Sequence, residues 1–199
     1  MTRPVIVRCV VLATTAGLLA PALGAHAAPL KKKKPTCNLV TDARGDATGT
    51  GLPVSAPNDG NLDIIGADLA TNATTMTGVI RVASFSTADT SAPTGREYQV
   101  VYTVGTATGS VNAVISPSGT SWAGGKGQGA IDTAKHEIHI SVPLAALAVP
   151  VPAKAKLTAI GAATWRVGTT DQIALGNVDK AQSASSYIAG WPSCVKVGA

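Results

Sequence analysis

Between Thr41 and Asp68 the chain carries Asp42, Asp46, Asn58, Asp59, Asn61, Asp63 and Asp68 in a Gly-rich stretch. Only 14% of all residues are charged, so this density of short oxygen-bearing side chains calls for an explanation. A hard cation such as calcium supplies one, because it takes about six to eight oxygens from Asp, Asn, backbone carbonyls and water. The alternative is a series of Asx turns, in which each side chain caps a nearby amide and its carboxylate stays solvated.

Other reactive side chains are sparse. Beyond His26, near the N-terminus, the histidines are His136 and His139, in the short run His136-Glu137-Ile138-His139. On a strand that spacing puts them on opposite faces, unlike the i, i+4 helical pair of a zinc protease. No G-x-S-x-G elbow is present to build a serine hydrolase. A glycosidase-type carboxylate pair needs only to meet in space, so spacing alone leaves it open. Met76, on an apolar strand face, reads first as core filler. The expectation is a protein that is not an enzyme.

Residues 1–27 have the grammar of a secretory signal: Arg3 and Arg8, an apolar run from Val10 to Leu23, and Ala25-His26-Ala27 as an A-x-A cleavage site. The run is shorter than the roughly 20 residues a membrane span requires. Secretion to the extracellular space and no transmembrane segment are therefore expected. Removing the signal leaves Cys37 and Cys194, which an oxidising compartment would join. Residues 28–36, with the tetrad Lys31 to Lys34 between Pro29 and Pro35, read as a basic disordered arm. Setting aside the signal arginines and this tetrad leaves 10 basic against 11 acidic residues. A near-neutral body lacks the basic stripe of a nucleic-acid binder.

Residues 37–199 are one domain's worth of chain. Thr, Val, Ile and Ala recur with period two between Gly, Asn and Pro breaks, and helix-period segments are missing. Strands are expected at 62–69, 76–85, 97–106, 110–116, 129–132, 136–142, 157–167 and 187–195. Asp132-Thr133-Ala134-Lys135 reads as a hairpin turn, and Pro143 to Leu147 as one helical turn. Met76, Ile80 and Val82, then Tyr98, Val100, Tyr102 and Val104, then Ile138, Ile140 and Val142, form inward faces. So many short strands in one domain point to an all-β fold, an antiparallel β-sandwich of jelly-roll-like type.

The opening pattern Asp42-x-x-Gly45-Asp46-x-x-Gly49-x-Gly51, a spacer with Pro57, Gly60-x-Leu62-Asp63-Ile64, and later Ile138-x-Ile140-x-Val142-Pro143-Leu144 together resemble the DOMON-like and family 9 carbohydrate-binding-module-like sandwiches, including the glucodextranase C-terminal type. The resemblance implies a structural calcium beside Asp42, Asp46 and Asp63, and a secreted binding module for a cell-surface or environmental polysaccharide. The alternative is a structural or protein-interaction accessory domain without a sugar site; the resemblance to DOMON-like domains also implies a further alternative, a haem held by Met76 with His136 or His139. Sugars pack their C–H faces on flat rings, and here rings are few. Tyr98 and Tyr102 face inward, Trp165 alternates with Ala163 and Val167 as a core candidate, and Trp191 is expected to pack on the disulfide. Trp122, in the glycine-rich segment 119–125, is left as the ligand platform, its alternative being a ring folded over a sheet edge.

Overall fold

The computed structural model describes residues 33–47, 59–87, 95–167 and 174–198, with the backbone alone at 174–178. The expected signal, most of the basic arm and Asn58 lie outside the described residues. Among the described residues, eleven strands follow in chain order: β1 Val40–Thr41, β2 Ile64–Thr71, β3 Thr75–Val82, β4 Arg96–Val104, β5 Ala107–Ser116, β6 Gly119–Trp122, β7 Gln128–Asp132, β8 Glu137–Pro143, β9 Lys156–Val167, β10 Ala174–Gln182 and β11 Tyr187–Ile188. They form two antiparallel sheets. One has the order β1-β2-β3-β8-β7, the other β10-β9-β4-β5-β6 with β11 also on β9. The chain is an all-β sandwich, and no described helix is long and apolar enough to cross a membrane.

The period-two pattern becomes the core directly. Met76, Ile80 and Val82 of β3, Tyr98, Val100 and Tyr102 of β4, and Ile138, Ile140 and Val142 of β8 are all buried between the sheets. The buried phenols need partners in this dry layer. Tyr98 donates to the carbonyl of Asn61 at 2.8 Å, and Tyr102 donates to that of Val149 at 3.2 Å. Burial pushes the Tyr102 phenol up to about 12. Pro143 precedes a single 3₁₀ turn at Leu144–Ala146, and the hairpin at Asp132 is capped by its own carboxylate, which accepts from the amides of Ala134 and Lys135.

The sheets approach each other closely at Gly78 of β3. A Cβ there would lie 2.8 Å from Val111 Cγ2 and 3.1 Å from Val100 Cγ2 on the facing sheet. Valine side chains are stiff, so neither can swing clear. Gly78→Val is expected to destabilise the fold towards the upper end of the about 1–3 kcal/mol typical of overpacking, read as a lower urea midpoint.

Three strands depart from the sequence reading: β1, β6 and β10 were not anticipated, and the expected last strand is reduced to Tyr187–Ile188 and an isolated bridge at Ser193. Two rings also differ. Thr164 is buried and donates to the carbonyl of Leu62 at 2.6 Å, so its neighbour Trp165 points to the outer face and is half-buried. Trp191 is 40% exposed and carries the Lys33 ammonium 3.6 Å from its ring centre. Its backbone is what is held inside, since its amide bonds Ile188 and its carbonyl accepts from Tyr187 Oη.

Cys37 and Cys194 are disulfide-bonded across 157 residues, as expected from their positions. Beside the bond, Thr36 and Ser193 form a parallel bridge, with the amide of Cys194 donating to the carbonyl of Thr36. Past Cys194 the chain continues over the outer face of the first sheet. Val195 and Val197 pack on Ala70 and Val79, and the amide of Gly198 donates to Thr77 Oγ1 at 3.0 Å.

Candidate metal centre

The edge strands β1 and β10 belong to different sheets and lie on the same side of the sandwich, in contact with each other. Three carboxylates meet there. Asp42 follows β1 directly, Asp46 lies four residues further along the same loop, and Asp179 comes from β10. One oxygen from each lies within 4.8 Å of the other two. All three donors are hard oxygens, which fit calcium better than a thiophilic metal.

The loop is shaped by the fourth acid. Asp63 stands one residue ahead of β2 and is 2% exposed. Its Oδ2 accepts from the amide of Gly45 at 2.7 Å, which fixes the turn between Asp42 and Asp46. Gly45 has φ of 88°, a left-handed conformation that glycine adopts without strain. Asp179 is tied just as firmly: Ile64 and Lys180 donate their amides to its two oxygens, each at 2.6 Å. The first bond joins the start of β2 in one sheet to β10 in the other.

Two buried oxygens in this region, Asp42 Oδ2 and Asp63 Oδ1, have no hydrogen-bond partner among the described residues. A buried acceptor without a donor costs about 1–3 kcal/mol, more when charged. Crowding shows in the ionisation. Burial chiefly, against the opposing effect of its two amide bonds, and then the charges of Asp42 and Asp46, raises Asp179 to about 6. Burial also raises Asp42, offset in part by the Ala43 amide, with Asp46 and Asp63 adding repulsion. A bound dication would satisfy the open oxygens and turn this repulsion into attraction.

Compared with protein-family models and with the curated proteins, this chain matches none. The remaining assignments therefore rest on the placement of each side chain.

Of the other acids in the opening stretch, Asp59 pairs with Arg166 at 2.6 Å and caps Asn61, which itself accepts from the amide of Ser86. Asp68 is fully buried, accepting from the amide of Leu39 at 2.8 Å and pairing with Arg81 at 2.8 Å. Of these three, Asp59 makes the short-range cap of the turn reading, whereas Asn61 and Asp68 bond amides 25 and 29 positions away; Asp42 and Asp46 enter the cluster and Asp63 supports it. Asp179 was missed by sequence reading, and only its position in an Asn-Val-Asp run hinted at it.

The histidines are separately committed. His136 Nδ1 accepts from the amide of Phe85 at 3.0 Å, and His139 Nε2 lies 3.1 Å from Glu137, whose other oxygen pairs with Arg81 at 2.9 Å. Met76 is fully buried in the core. Trp122 is half-buried against the core, and its six-membered ring covers the backbone of Gly129 on β7. That is the folded-over-edge placement, with the ring bridging strands of opposite sheets.

Proposed function

We propose that this chain is a secreted, non-catalytic binding module whose sandwich is clamped by one calcium ion where the edges of its two sheets meet. The observation that carries the ion is the convergence of Asp42, Asp46 and Asp179, with buried, unpartnered oxygens on Asp42 and Asp63 beside it. Asp42, Asp46 and Asp179 would ligate, and Asp63 would ligate through Oδ1 or hold the loop through Gly45. The ion would thereby cross-link β1 to β10. The disulfide supports an oxidising compartment. The non-catalytic reading is supported by the histidines, which serve the Phe85 amide and the Arg81–Glu137 ion pair. A polysaccharide ligand follows from the family resemblance, with Trp122 contributing whatever ring surface its packing on Gly129 leaves to solvent.

Melting with calcium and with chelator tests the clamp. Calcium at a hundredfold excess over its Kd should stabilise the fold by about 2.7 kcal/mol. Asp46 is exposed, so Asp46→Asn should fold, lose the calcium response and, in chelator, melt no lower than the parent because it relieves repulsion on Asp42 and Asp179. Equal midpoints in both buffers would reduce the cluster to a set of turn caps.

A further inference from the structure

At a separate place on the molecule, the turn after β11 joins the β2–β3 turn and the loop 151–154 around a groove of about 540 Å³. That is within the about 300–1,000 Å³ of small-ligand sites. Val151 and Leu144 are among its apolar residues, and Trp191, Lys33, Lys154 and Asn72 contribute its aromatic and polar groups. Trp191 is the exposed large hydrophobic side chain among the described residues, and its backbone bonds and those of Gly190 hold it in place. No acid lines the groove among the described residues, whereas two lysines do, one of them from the Lys31–Lys34 run.

We infer that this groove binds an acidic peptide segment of a partner protein, with one large apolar side chain seated against Trp191 and flanking carboxylates meeting Lys33 and Lys154. The charge is complementary and one-signed, so acidic flanks are favoured and basic ones repelled. An exposed, backbone-pinned tryptophan beside apolar residues is the anchor geometry of a protein interface. The lining chemistry favours peptide over saccharide. A sugar needs planar polar side chains to take its hydroxyls in pairs, and Asn72 alone offers one, with its Oδ1 already accepting from the amides of Thr74 and Thr75. Thr71 Oγ1 accepts from the amide of Gly190. The inference rests on the binding-module reading and is independent of the calcium clamp.

The test is a random peptide display library panned against the full chain, Trp191→Ala and Lys154→Glu, with melting curves confirming that the exposed-site variants fold. Acidic sequences with a central large apolar residue should be enriched on the parent. Enrichment should fall about tenfold or more on Trp191→Ala, and Lys154→Glu should weaken the acidic preference. No enrichment, the same sequences on Trp191→Ala, or neutral and basic winners would overturn the inference. Trp191-dependent retention on hyaluronan without peptide enrichment would also overturn it, assigning the groove to a saccharide. Calcium-dependent melting on the same preparations reports the clamp separately, so either claim can fail alone.

Discussion

The Cys37→Ser, Cys194→Ser double variant is expected to lose about 5 kcal/mol of stability, the chain-entropy value for a loop of 157 residues. That is a large share of the about 5–15 kcal/mol that holds a typical domain. The loss should exceed the entropy term if the terminal strap lets go, because Val195 and Val197 would then uncover Ala70 and Val79. Chemical unfolding of the oxidised protein and the double variant measures it. A difference under about 1 kcal/mol would mean that the Thr36–Ser193 bridge and the packed tail hold the ends together unaided.

The second large effect is in pH. Asp179 has its folded pKa raised from 3.8 to about 6, so the folded protein binds its proton more tightly than the unfolded chain does. Its contribution to stability is therefore fully present below about pH 4 and is lost as pH rises to about 6, by about 3 kcal/mol for this group alone. Asp42 is shifted in the same direction and adds to the trend. Calcium binds the ionised form and should reverse the sign. In chelator, this window should lower the melting temperature as pH rises, and in calcium the same rise should stabilise. Parallel curves in the two buffers would show that no ion meets these carboxylates.

The sequence made the sandwich legible because β3, β4 and β8 each place every second residue in the core. It failed where alternation fails. The pairing of β10 with β9 shifts register between Ala174 and Asn177 and again between Asn177 and Asp179, which breaks the period-two signal. That same irregular strand carries Asp179, so missing the strand meant missing the residue. Asp42 and Asp46 were readable from local density, but their partner is more than 130 positions away in sequence. Trp165 was misplaced for a related reason. Strand parity must be counted from a known inward residue, and Thr164, polar but buried, looked like an outward one.

The pairing of Thr36 with Ser193 beside the Cys37–Cys194 bond also decides how the molecule would carry tension. A pull between the segment before Cys37 and the segment after Cys194 runs through one covalent link and bypasses the 157-residue loop. Neither sheet is then loaded along its hydrogen-bond ladder. Under such a pull the oxidised sandwich would behave as a short inextensible tether, whereas the reduced one would have to unravel strand by strand from its edges.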